Sequence, residues 1–208
     1  MSTDERRGSG EERDAGPGTR ERIVVATSRL MQRQGYSGTG VKQIAAEAAA
    51  TPGSVYHFFP GGKKELAVAA IRHGEREFAD ELDRCLTAAG DPAEGIVACV
   101  RALAEGMRDS GWEDGCPVAS TALGVTGGVP EIRRAADAAF AHWRRLVFER
   151  LRDHGIAEDD AADLAYTVIS TVEGAEMAAQ VARDGAPLRI AGVHLARLIG
   201  LYASGPRA

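Results

Sequence analysis

The feature that most limits how this chain can fold is the Thr51-Pro52 break, set between two short patterned runs in the stretch from Tyr36 to Leu66. Before it, Val41, Ile44, Ala45 and Ala48 recur at helical spacing and give one short segment a single apolar face. Thr is a good N-cap and Pro suits the first helical turn, so a new helix starts at the break. That second helix, about Pro52 to Phe58, carries small and polar residues at its start and Val55, Tyr56, Phe58 and Phe59 towards its end. Two short helices joined by a tight turn make a helix-turn-helix unit. Its second helix can lie in a DNA major groove with its N-terminal residues at base edges.

The residues of this stretch resemble the DNA-binding signature of TetR-type repressors: Thr39, the Ile44-Ala45 pair, Gly53, Val55-Tyr56, Phe59, Lys63 and Leu66, in that order. The resemblance covers roughly residues 19 to 70; beyond that the chain is similar to the family only in length and helical layout. It implies an all-α fold with a helix-turn-helix head and a larger helical body for ligand binding and dimerisation. Two positions depart from the pattern. Ala49 and Ala50 stand where the inter-helix turn usually has Gly and a Val or Leu, and a positive φ at Ala49 would cost about 1 kcal/mol. The Gly61-Gly62 link is one residue longer than usual, which predicts a different entry angle for the next helix.

The net charge of −5 looks wrong for a nucleic-acid binder until it is divided along the chain. Residues 19–66 hold seven basic side chains against three acids, whereas residues 1–18 and the remainder are both net acidic. A basic head on an acidic body is expected when only the head meets phosphate. On the head, Thr51, Pro52, Gly53, Ser54, Tyr56 and His57 are the candidate groove residues, and Thr39, Lys42 and Lys63 the candidate phosphate contacts. The reading helix has no Arg, Asn or Gln, so bidentate base contacts are scarce.

Three units are expected: a disordered polar tail over 1–18, a DNA-binding domain over 19–66, and a helical body over 67–208. In the head, Thr19 caps a first helix that stops at Gly35. Lys63 to about Ala88 reads as one long helix and as the only element able to touch both head and body. Further helices are expected from Pro92 to about Asp109, Val118 to Val125 with Gly127-Gly128 as breaker, Pro130 to Gly155, Asp160 to about Arg183 with Gly185 as the stop, and from Pro187 onward. No run of about 18 apolar residues exists, so no membrane span is expected, and a cytoplasmic protein follows.

Catalytic signatures are not visible. There is no G-x-S-x-G elbow, Gly62-Lys63 is not a P-loop, and the His residues are scattered. Cys85, Cys99 and Cys116 have no CxxC or HxxxH partners, so neither a metal nor another cofactor is expected, and only Cys116 draws attention as a reactive thiol. The body has few large residues among many Ala and Gly. That mixture suits a cavity, for which Phe78, Leu82, Met107, Trp112, Phe140, Trp143, Glu173 and Met177 are the candidate lining. Glu173 and Glu176 sit in an apolar stretch where a charge is costly unless paired or exposed.

The last two helices are apolar over more than one face, which predicts a dimer seam through Leu164, Val168, Val172, Ala175, Ala179, Leu195, Leu198 and Tyr202. The expected partners are therefore a second copy, a roughly palindromic DNA duplex and, by the resemblance, a small-molecule ligand that releases a repressor from its operator. A helical small-molecule enzyme or a protein-interaction module with an incidental motif remains the alternative.

Overall fold

The computed structural model describes residues 18–125 and 128–203. Among these the chain is all-α, with helices α1 (Thr19–Gly38), α2 (Val41–Glu47), α3 (Pro52–Phe58), α4 (Lys63–Ala88), α5 (Pro92–Asp109), α6 (Pro117–Leu123), α7 (Pro130–Asp153), α8 (Glu158–Ala182) and α9 (Ala186–Ala203). The expectation of a tail over residues 1–17, and of a break at Gly127, falls outside the described residues.

Side-chain caps set the starts of α3 and α5, whereas α1 begins at Thr19 itself, with Gly18 before it and no side-chain cap, so Thr19 is not the cap expected. The Thr51 hydroxyl accepts from the Ser54 amide at 3.1 Å, and the Asp91 carboxylate from the Ala93 amide at 2.6 Å, each with Pro in the first turn. The stops were less predictable. Inside the α1 run, Gly35 leaves helical geometry at φ 68°, and a Cβ there would lie 3.2 Å from the Ser120 carbonyl oxygen of α6. Glycine is needed at this position for both the backbone turn and the close approach. The α6 helix ends at Leu123, ahead of the expected glycine pair. The α8 helix ends at Ala182, within one residue of the expected end near Arg183, and it is Arg183 rather than Gly185 that turns left-handed, at φ 53°, donating to the Gly111 carbonyl at 2.7 Å.

Two apolar clusters form. Ile23, Val24, Ile44, Val55, Phe59 and Leu66 close the interior of the head, where α1 to α3 meet the start of α4. Along α4 the cluster of the body takes over at Ala67, the very next residue, and it runs through α4 to α9 around Trp143, Ile132, Leu151 and Leu188, with Met31 of α1 joining it. Trp143 donates its indole N–H to the Glu75 carbonyl at 3.0 Å and takes Phe78 and Phe140 edge-on.

The long helix is not the only bridge between the two parts. The end of α1 packs along α6, and Met31 of α1 is buried in the core of the body. Arg33 reaches Asp114 at 2.6 Å, and the Ser37 hydroxyl donates to the Gly124 carbonyl at 3.3 Å. Meanwhile α4 approaches α6 so closely that a Cβ on Gly74 would sit 2.4 Å from the Pro117 ring. Head and body therefore share an α1–α4–α6 junction, in place of the single α4 link expected from helix length alone.

Candidate functional site

The head turns its apolar side inward and its reading side outward. Ile44, Ala45, Val55 and Phe59 are buried, while Thr51, Pro52, Gly53, Tyr56 and His57 on α3 are exposed and Ser54 is partly so. The turn between α2 and α3 holds Ala49 at φ 48°, the left-handed geometry for which glycine is the usual residue. Arg22 ties this turn to α1 by donating to the Ala48 carbonyl at 3.2 Å.

Of the expected phosphate contacts, Lys42 is exposed. Lys63 is half-buried with its ammonium 4.4 Å from the Tyr36 ring centroid, and burial lowers its pKa. Thr39 requires correction. It is 1% exposed, and its hydroxyl donates to the Gly35 carbonyl at 2.8 Å, so the side chain locks the α1–α2 corner instead of facing solvent.

In the body, a cavity of about 620 Å³ lies among α6, α7 and α8. Phe140, Glu173 and Met177 from the expected set line it, joined by Tyr166, Cys116 and Glu176. Leu82, Met107 and Trp143 do not: they are buried in the surrounding core. Phe78 packs edge-on to Trp143, and Trp112 stands at φ 66° in the turn after α5, so neither belongs to the lining. A larger groove of about 870 Å³ runs between α4 and α7, but it is rimmed by charged side chains such as Arg72, Arg134 and the His142–Glu75 pair.

The polar end of the cavity carries its distinctive chemistry. Donor atoms of Cys116, Glu173 and Glu176 lie within 4.8 Å of one another. Burial pushes the Glu173 carboxyl up to about 7, the neighbouring Cys116 thiol drawing it partly back, and burial pushes Glu176 up to about 8. Burial also holds the Cys116 thiol well above its ordinary value, so it is a poor nucleophile rather than the reactive group its sequence position suggested. Its sulfur accepts from the Ala119 amide at 3.4 Å and caps α6. No sequence spacing announces this cluster, because Cys116 and the two glutamates are separated by more than an intervening helix.

The dimer seam also needs correction. Leu164, Val168, Val172, Ala175, Ala179 and Leu195 are buried within one protomer, where α8 packs on α7 and α9. Leu198 is half-buried, and of that set only Tyr202 is exposed. The apolar side chains left outside are Tyr166, Met177 and Val181 on α8 and Ile190, Val193 and Leu201 on α9.

Residues 23–70 match the profile of bacterial regulatory proteins of the tetR family, and residues 92–194 match that of the C-terminal domain of LmrA/YxaF-like transcriptional regulators. The HTH-type transcriptional regulator LmrA of Bacillus subtilis is 34% identical over 170 residues, covering 82% of this chain and 90% of that protein. The chain belongs to the TetR family. A second Bacillus subtilis relative, the uncharacterized HTH-type transcriptional regulator YxaF, is 32% identical over 82% of the chain and 89% of its own length. Among solved structures, a TetR transcriptional regulator from Legionella pneumophila superposes with a TM-score of 0.79 at 22% identity, over 88% of this chain and 98% of that one, a likeness of fold. This TetR-family member is a helix-turn-helix transcriptional regulator, and the alternative of a helical enzyme falls with that membership. Among the described residues no helix is long and apolar enough to cross a membrane.

Proposed function

We propose that this regulator is a homodimeric repressor that holds a two-fold DNA operator through α3 and lets go when a small molecule enters the α6–α8 cavity. The observation that carries the reading is the exposed N-terminal half of α3, presented by a head whose apolar residues are turned inward. A reading helix of this kind uses its first residues at base edges, and a dimer sets two such helices about one DNA turn, roughly 34 Å, apart. Thr51, Pro52, Gly53, Ser54, Tyr56 and His57 face the groove. Lys42, with Lys63 reaching out from Tyr36, meets phosphate.

The second copy docks on the outward side of α9, where Ile190, Val193, Leu201 and Tyr202 stand exposed. Ligand in the cavity acts on α6, whose contacts with both α1 and α4 carry a displacement to the head. A ligand shifts the balance only by its difference in affinity between the two arrangements.

Selecting bound fragments from genomic DNA tests the reading, followed by screening small molecules for release. Recovery of a roughly palindromic site bound by two protomers is expected; enrichment of no sequence contradicts it. Leu201→Glu alters a side chain that a single protomer leaves exposed, so it should give folded monomers. A folded Leu201→Glu dimer would move the seam elsewhere.

A further inference from the structure

We infer that the cavity selects an aromatic or otherwise apolar ligand carrying one cationic nitrogen, which Glu173 and Glu176 hold at its polar end. This rests on the ligand-release reading above and names the chemistry of the ligand. The Glu176 carboxyl has no partner among the described residues. Glu176 is 7% exposed, lines the cavity, and makes no hydrogen bond or ion pair among the described residues. Glu173, one helical turn earlier on α8, faces the same space, and its only hydrogen-bonding neighbour there is the Cys116 thiol. A carboxyl drawn into such a cavity without a cationic partner is costly when ionised, so these two, side by side, leave a place for a cation to satisfy them.

The cavity does not supply that partner itself. Among the described residues Arg144 of α7 is the one basic side chain in its lining, and it is engaged with Tyr166, its guanidinium carbon 4.3 Å from the ring centroid. The other polar groups in the lining are neutral: the Cys116 thiol ahead of α6, the Ser120 and Ser170 hydroxyls, the Gln180 amide and the Tyr166 phenol; on α5 the buried Cys99 thiol also lies near Glu176. Around this polar end the walls are apolar, with Phe140, Ile169, Met177 and Leu123 among them. An apolar body packs on those walls, and aromatic faces favour a nearby cation. A protonated nitrogen then makes the charge-assisted hydrogen bonds that the two carboxylates lack. An anion meets the same carboxyls and is rejected.

Proton linkage gives the inference a second signature. Without a cation beside them, burial keeps Glu176 mostly protonated at neutral pH and leaves Glu173 near the midpoint of its titration. A cation favours their ionised form, so its binding releases protons and its affinity rises with pH through the range in which the two glutamates titrate. A neutral ligand of the same shape lacks that rise.

Three probes with one aromatic body make the test: 1-naphthylmethylammonium, 1-naphthylmethanol and 1-naphthoate, each titrated calorimetrically into the full-length protein at pH 6 and pH 8.5. The expected result is at least a tenfold preference for the ammonium over the alcohol at the higher pH, a smaller preference at the lower pH, and the naphthoate weakest. The variant with both Glu173→Gln and Glu176→Gln, checked by thermal unfolding, should bind the alcohol as before and lose the preference. Phe140→Ala should weaken all three. Equal binding of ammonium and alcohol overturns the cation assignment while leaving a ligand cavity in place. Failure of every probe to bind at millimolar concentration overturns both the assignment and the cavity as a ligand site. A cobalt(II)–thiolate absorption band that depends on Cys116 and persists in the presence of the ammonium would give the cluster to a metal ion instead.

Discussion

The head and the body are both built from helices alone among the described residues, yet their interiors differ in kind. The interior of the head packs Ile23, Ile44, Val55, Phe59 and Leu66 together with the buried hydroxyls of Thr27, Ser28 and Thr39, and among the described residues none of its titratable side chains is fully buried. The body surrounds two carboxyls and a thiol with apolar side chains and gives them no cationic partner. The difference follows from what each part touches. A reading head must keep its shape against a rigid duplex, so its interior is filled and its specificity is on the surface. On the proposed function, the body must keep a space that a ligand completes, so it carries groups that lower its own stability. The α1–α4–α6 junction joins the two, and there the packing is tight enough that single methyl groups matter.

Substitutions can break this contrast or sharpen it. The largest effect is expected at Trp143, the centre of the filled part of the body. Trp143→Ala removes the indole, its bond to the Glu75 carbonyl and the edge contacts of Phe78 and Phe140, and should cost about 3–5 kcal/mol in denaturant unfolding. A loss below about 1 kcal/mol would mean that this region is as open as the cavity. Next comes Gly74→Ala at the junction. The new methyl would press on the Pro117 ring, and overpacking of this kind costs about 1–3 kcal/mol. Because the strain falls between α4 and α6, operator affinity should change more than the unfolding midpoint alone accounts for. Unchanged stability and affinity would show that the junction can slide freely.

A smaller effect, visible as a slope, is expected from the cavity. Glu173 and Glu176 titrate at about 7 and about 8 in the folded chain, whereas unfolded glutamates titrate near 4.3. Between these values the folded protein holds protons that the unfolded chain has released. These two groups therefore remove stability as pH rises from about 4.5 to about 8. Thermal melts at pH 5, 7 and 9 should show that fall in the native protein and lose much of it in the variant with Glu173→Gln and Glu176→Gln. Parallel melting curves would mean that the carboxyls are solvated like surface groups.

The smallest expected change is a gain in the head. Ala49→Gly relieves the φ of 48° and should raise stability by up to about 1 kcal/mol, less whatever the added freedom of the unfolded chain takes back. A net loss would show that the Ala49 side chain packs usefully despite its backbone.

What was readable in the sequence follows the same division. The bounds of α3 and α4 were legible because local chemistry sets them: Thr51-Pro52 at one start, and the Gly61-Gly62 link before Lys63 at the other. The strain at Ala49 was legible because the turn needs a particular backbone and the residue is not glycine. The face of a residue was harder to read. Thr39 looked like a surface hydroxyl, but a local bond to Gly35 satisfies it and lets it be buried. The seam set was misplaced because α8 is apolar around most of its circumference, and periodicity does not say which apolar face meets α7 and α9. The meeting of Cys116 with Glu173 and Glu176 depends on how α6 lies across α8, which no local pattern encodes. The tie between α1 and α6 was missed for the same reason; its signal was Gly35, taken only as a helix stop.

The most direct test of the account is equilibrium binding of the full-length protein to a duplex recovered from genomic DNA, repeated after inserting about five base pairs, half a helical turn, between its two halves. Two protomers per duplex are predicted, with at least a tenfold loss of affinity on insertion, because the second α3 would then face the wrong side of the DNA. Affinity that ignores both the sequence and the spacing would contradict it.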